Sequence, residues 1–253
     1  MRTKAYGELP VTIYDDAEAM GRAAADDFAA TAAELLAERD EISVIFATGN
    51  SQATFRAAIA ERDDIQWHRI NVLHLDEYLG VSADLPESTV WRMQHDIVDV
   101  VHPKAFYPFR GENDPDQEVL RYTEILQRLK PEICVLGVGE NGHLAFNDPP
   151  ADFDTENLIE IVTLSEASRR QILGEGRFGS FERVPQNAVT MTVPALLAPQ
   201  HVIVIVPDRR KAESIRATLE GAVTPECPGS ILQTAAHARM YLDSEAASLL
   251  RQV

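Results

Sequence analysis

Short β-branched, apolar runs alternate with longer segments of helical pattern along almost the whole chain, and this alternation restricts the fold more than any other feature. The runs are VTIYD (11–15), SVIFAT (43–48), INVLHLDEY (70–78), EICVLGVG (132–139), IEIVTL (159–164), AVTMTV (188–193), HVIVIV (201–206) and ARMYLD (238–243). Several are apolar at nearly every position, the pattern of strands buried on both faces of a parallel sheet. Between them, residues 17–39 are alanine-rich with large apolar groups at Met20, Phe28, Leu35 and Leu36, which gives high helix propensity and a narrow stripe to bury. Segments 52–62, 88–101, 115–129 and 209–219 carry weaker helical patterns. Repetition of this kind predicts an α/β fold: a three-layer α/β/α sandwich around a mostly parallel sheet. No repeat or low-complexity linker divides the 253 residues, and the polar stretches RGENDPDQ (110–117) and PPADFDTEN (149–157) read as surface loops, so one domain over 1–253 is expected.

Charge narrows the partners. Aspartate plus glutamate outnumber lysine plus arginine by 40 to 23, a net charge of -17, and such a surface repels nucleic acid and anionic membranes. A small phosphorylated ligand is still compatible, because a few backbone N–H groups and one or two cations hold a phosphate locally. The two cysteines, Cys134 and Cys227, have no metal-ligand spacing, so neither a disulfide framework nor a metal site is expected. The N-terminal residues lack a signal-peptide core, and no stretch approaches the ~20 apolar residues that span a bilayer, so a cytoplasmic location without membrane contact is expected. Oligomeric state is not legible, and a homo-oligomer is compatible with the sequence.

In open parallel sheets ligands collect at the carboxyl ends of strands, and four strand ends here carry unusual residues. Thr48, Gly49, Asn50 and Ser51 form a turn that runs into a helix, suited either to hold an anion or simply to cap that helix. Asp76 and Glu77 are adjacent, and strand alternation sends them to opposite faces: one is a candidate general base at the cleft, the other a structural carboxylate. GVGENGHLAFND (137–148) combines a glycine-bounded strand exit with His143 and, five residues later, Asp148; Gly142 leaves space before the histidine, and Asn141 is a neutral hydrogen-bonding neighbour. The other six histidines lack such a setting, and most of them read as surface or core-edge residues. The stretch is not a dinucleotide fingerprint, since HLAFNDPP is a poor helix opening. Lys211 begins a helix after a long buried strand, beside Arg209 and Arg210, and Arg169, Arg170 and Arg177 make a second basic region; either group suits a phosphate or a solvated surface.

Taken in order, ATGNS, LHLDEYLG followed by PES, GVGENGHLAFNDP, and VPDRRKAESI with its trailing LEG resemble the glucosamine-6-phosphate deaminase/isomerase family, within the wider 6-phosphogluconolactonase superfamily. The resemblance runs from about residue 43 to the C-terminus, and its most specific piece is GxGxxGHxAFN. It implies a Rossmann-like sheet and a cofactor-free enzyme acting on a small-molecule sugar phosphate. By position, it implies that Asp76 moves a proton between C2 and C1 of the open-chain sugar and that His143 assists ring opening. It also implies that the Thr48–Ser51 loop and Lys211 hold the phosphate with an arginine, for which Arg177 is the candidate and Arg169 and Arg170 the rivals. Glu77 and Gly142 are carried over as substrate-site positions. Family deaminases often have aspartate two residues before the histidine and glutamate five after it; Asn141 and Asp148 stand there, so the charge that supports His143 falls to Asp148. The implied reaction converts an amino sugar 6-phosphate to a ketose 6-phosphate and ammonia. Its competitors are hydrolysis of a phosphorylated sugar lactone on the same scaffold, and a non-catalytic sugar-phosphate sensor.

Overall fold

This computed structural model describes residues 1–251. Eight strands build the main sheet: β1 (Arg2–Tyr6), β2 (Leu9–Tyr14), β3 (Ile42–Phe46), β4 (Ile70–His74), β6 (Ala105–Tyr107), β7 (Ile133–Leu136), β10 (His201–Val206) and β11 (Ala238–Asp243). Their order across the sheet is β1-β2-β11-β10-β7-β3-β4-β6, and every neighbouring pair is parallel except the β1–β2 hairpin. The chain winds outward from β3 through β4 to β6, then returns to β7 on the other side of β3. Loops leaving β3 and β7 therefore diverge and open a crevice between them, the place where such sheets bind ligands.

Alternation along the strands explains why both faces are covered. In β10, Val202, Val204 and Val206 enter one apolar cluster, while Ile203 and Ile205 enter the other. Helices α1 (Ala17–Glu38) and α2 (Ala53–Ala60) seal the second face around Phe28, Phe46, Phe55 and Trp67. Asp16 caps α1 by accepting from the Ala19 N–H at 2.7 Å. Where α1 crosses α2 a Cβ at Gly21 would meet Thr54 at 2.6 Å, so the close approach needs glycine there. The first face is packed by α5 (Pro115–Leu129), α7 (Val193–Leu197) and α8 (Ala212–Glu220). Between α2 and α5, α3 (Thr89–Met93) runs through a π-helical turn at 94–98 into α4 (Asp99–Val101).

Two expectations need correction. INVLHLDEY is not one strand: it breaks at Leu75, and β5 (Asp76–Tyr78) leaves the main sheet. With β8 (Ile159–Thr163) and β9 (Asn187–Met191) it forms a second, antiparallel sheet of three strands in the order β5-β9-β8. The runs at 159–164 and 188–193 thus belong to this smaller sheet, and residues after Met191 turn into α7 at Thr192, whose hydroxyl caps the helix. Helix α6 (Glu166–Gly174), absent from the sequence-based expectation, packs beside it. No described helix is long and apolar enough to cross a membrane.

Candidate active site

The exits of β3, β7 and β10, together with β5 and α6, enclose a cavity of about 350 Å³, within the size range of small-ligand sites. Thr48, Gly49, Asn50, Ser51, Asp76, His143, Arg177 and Lys211 all line it. Glu77, Asn141, Gly142 and Asp148 lie behind its wall, outside the lining residues.

Asp76 faces the cavity from the first position of β5, where the break at Leu75 redirects the chain. Its side chain is buried, and burial pushes the carboxyl up from 3.8 to about 7; Arg177 pulls it down, while Glu77 and Glu175 add repulsion. The result is a carboxylate poised to give and take a proton near neutrality. Glu77, one residue on, has a structural task. It accepts from the Ser88 hydroxyl at 2.5 Å and from the N–H groups of Tyr78, Thr89 and Val90 at 2.7, 3.1 and 3.0 Å, anchoring the start of α3. His74, one of the other six histidines, is fully buried: burial lowers its pKa to about 3, and its Nε2 accepts from the Phe109 N–H at 2.8 Å.

The glycine-histidine exit from β7 is a tight turn. Gly139 N–H donates to the His143 carbonyl at 2.9 Å, Gly142 N–H to the Gly139 carbonyl at 3.1 Å, and Gly142 has φ +87°. The imidazole folds back over Gly139, where a Cβ would lie 2.3 Å from its Cε1 and Nε2. Behind the ring, Asp148 accepts from the Ser168 hydroxyl at 2.5 Å, the Asn141 amide at 2.8 Å and the Ser165 N–H at 2.9 Å. Burial raises the Asp148 carboxyl, but the polar groups of His143, Ser168, Asn141 and Ser165 outweigh it and hold the group well below the usual range. Asn141 does not touch the ring, contrary to expectation; its Oδ1 accepts from the His143 backbone N–H at 3.1 Å.

Two cations also line the cavity. Lys211 and Arg177 are both buried, and burial lowers the Lys211 pKa against the pull of Glu140 and Glu175. Arg177 pairs with Glu175 at 3.1 Å. Its rivals are engaged elsewhere: Arg169 donates to the Phe181 and Val184 carbonyls, and Arg170 to the exposed Glu166. The Thr48–Ser51 loop is held from behind by residues the motif reading missed. Arg56 donates to the Gly49 carbonyl at 2.9 Å and pairs with Asp96 at 3.2 Å, Arg92 donates to Asn50 Oδ1 at 3.2 Å, and Gln52 donates to Ser51 Oγ at 3.1 Å. Ser168, Gln171, Glu175 and Tyr78 were also missed as cavity residues; their only sequence signal is proximity to strand ends or arginines.

The family model for glucosamine-6-phosphate isomerases/6-phosphogluconolactonase matches residues 15–241. A glucosamine-6-phosphate deaminase of Exiguobacterium sibiricum is 34% identical over 86% of this chain and 84% of its own length. Glucosamine-6-phosphate deaminase 1 of Bacillus subtilis is 30% identical over 86% of this chain and 91% of its own. A solved structure described as a monomeric glucosamine-6-phosphate deaminase superposes with a TM-score of 0.86 at 27% identity, covering 95% of this chain and 99% of that one. The chain belongs to the glucosamine-6-phosphate isomerase/6-phosphogluconolactonase family.

Proposed function

We propose that this chain is a cytoplasmic glucosamine-6-phosphate deaminase, converting the amino sugar phosphate and water to ketose 6-phosphate and ammonia. The observation that carries the reading is Asp76: a buried carboxyl with a pKa of about 7, facing a cavity that also contains Arg177, Lys211 and His143. Arg177, Lys211 and the Thr48–Ser51 loop hold the phosphate. His143 moves the proton between the ring oxygen and O1 as the pyranose opens to the aldehyde. Asp76 takes the C2 proton while O1 gains a proton, leaving an enolamine; Asp76 then returns its proton to C1 and the nitrogen gives up a proton, which places a neutral C=N bond at C2. Water adds there, and the C–N bond breaks to release ammonia. Positioned proton transfer is worth about 100- to 10,000-fold.

The test is a panel of hexosamine 6-phosphates and 6-phosphogluconolactone, with ammonia and acid measured separately. Ammonia release lost in Asp76→Asn is the expected result. Acid from the lactone without ammonia from any hexosamine would replace the reading with lactone hydrolysis; tight sugar-phosphate binding with neither product would make the chain a sensor.

A further inference from the structure

His143 and Asp148 face each other at ion-pair rather than hydrogen-bonding range. His143 Nδ1 lies 3.6 Å from Asp148 Oδ1, beyond hydrogen-bonding distance. Between them stands the Ser168 hydroxyl, 2.5 Å from Asp148 Oδ1 and 3.3 Å from Nδ1. We propose that Ser168 is a positioning residue that fixes the tautomer of His143: its hydroxyl donates to Asp148 and accepts from Nδ1–H, leaving Nε2 unprotonated for the cavity.

A hydroxyl has one proton to give, so its two contacts cannot both be donations. Asp148 is the stronger acceptor. Its carboxyl is held well below the usual range and is ionised at neutrality, and 2.5 Å is the length of a charge-assisted O–H···O⁻ bond. The proton therefore points at Asp148, and the serine oxygen has only lone pairs for the imidazole. Nδ1 must be the donor, and the hydrogen bond at one ring nitrogen sets the state of the other. Nothing else described contacts Nδ1 in this way. Asn141 is occupied by the His143 backbone and by Asp148, and Asp148 is too far to take Nδ1–H itself.

Local structure explains how a serine reaches this place. Ser168 sits in the first turn of α6, and Ser165, the cap of that helix, accepts from the Ser168 N–H at 3.1 Å. The Ser165 N–H in turn donates to Asp148 Oδ2. The start of α6 thus grips the carboxylate through one backbone and one side-chain donor, with the favourable end of the helix dipole beside it. Ser168 is buried, which limits the access of water to the bridge. The ring itself cannot swing away on the other side without leaving the seat above Gly139.

The catalytic consequence of this arrangement rests on the deaminase reading; the tautomer does not. Long-range proton–nitrogen spectra of the 15N-labelled full-length chain without substrate, with His143→Gln used for assignment, read the tautomer directly. Neutral His143 is expected as Nδ1–H in the parent chain and in Ser168→Thr, and as predominantly Nε2–H in Ser168→Ala. With glucosamine 6-phosphate, Ser168→Ala is expected to lower kcat by about 10-fold or more with KM nearly unchanged, and Ser168→Thr to recover most of it. Ser168→Cys, close in volume but a weak donor, is expected to follow alanine. An Nε2–H tautomer in the parent chain, or an unaltered tautomer in folded Ser168→Ala and Ser168→Cys, overturns the proposal. If the parent chain releases no ammonia, the deaminase reading fails and the spectra still decide the tautomer.

Discussion

Asp76 should cost this protein stability, and the cost should depend on pH. Its carboxyl titrates at about 7 in the folded chain against an ordinary value of 3.8. Well below pH 3.8 the group is protonated whether or not the chain is folded, and no penalty exists. From about pH 4 to 7 the unfolded chain ionises while the folded chain keeps its proton, so stability falls as pH rises; above 7 the penalty is complete. At about 1.4 kcal/mol per pKa unit, the cost is under about 2 kcal/mol at pH 5 and about 4 kcal/mol at pH 8. Asp76→Asn keeps the shape and removes the titration. The stability of Asp76→Asn relative to the parent chain should therefore grow by about 2 to 3 kcal/mol between pH 5 and pH 8. Urea unfolding of both proteins at four pH values measures this, provided the m-values stay equal. A difference that is flat with pH would show that Asp76 titrates as an ordinary aspartate, and the physical basis for its acting as a base near neutrality would be gone.

The same titration predicts a rate profile: kcat/KM for ammonia release should climb about tenfold per pH unit below pH 7 and level off above it, because only ionised Asp76 takes the C2 proton. A profile flat from pH 5 to 8 would remove Asp76 from the step. Gly139→Ala places a Cβ 2.3 Å from the imidazole Cε1 and Nε2, so it should lower kcat by about 100-fold or more while near-UV circular dichroism reports an intact fold. Arg177→Lys retains charge but loses the planar fork beside Glu175; KM for the 6-phosphorylated sugar should rise about tenfold or more, with kcat changed less.

The main sheet was legible because its physics is written along each strand. A run such as HVIVIV, apolar on both alternating faces, has few ways to be satisfied other than burial between two helical layers, and Val202 to Val206 do divide between two cores. The smaller sheet was not legible for the same reason. IEIVTL and AVTMTV share that apolar character, and nothing in them says which sheet receives them. INVLHLDEY was read as continuous because no glycine or proline marks the break at Leu75. The break arises from tertiary pairing: Leu75 accepts from the Met191 N–H at 2.9 Å, and Asp76 pairs with Thr190 in β9. Such a contact spans more than a hundred residues and leaves no local signature. The hairpin strand β1 and the short β6 escaped because they are brief and only half-buried or exposed.

For the site, legibility followed from whether backbone geometry or side-chain geometry was at stake. Gly139 and Gly142 announce a sharp turn, and a histidine within it invites attention; the choice among Arg169, Arg170 and Arg177 did not follow from spacing and required knowing which guanidinium reaches the cavity. Asn141 and Asp148 show the limit most clearly. By sequence, the neutral Asn141 leaves the charge that supports His143 to Asp148 alone, as if the pieces acted independently. In the folded chain Asn141 organises the turn and the carboxylate, while Ser168, twenty residues beyond Asp148, stands between the carboxylate and the imidazole. The serine lies in a helix that the pattern SEASRRQILG signals only faintly, and its meaning depends on the other two positions. A proton relay is a property of the distances among its members, so a substitution at one position is interpretable only when the residue that bridges to it is known.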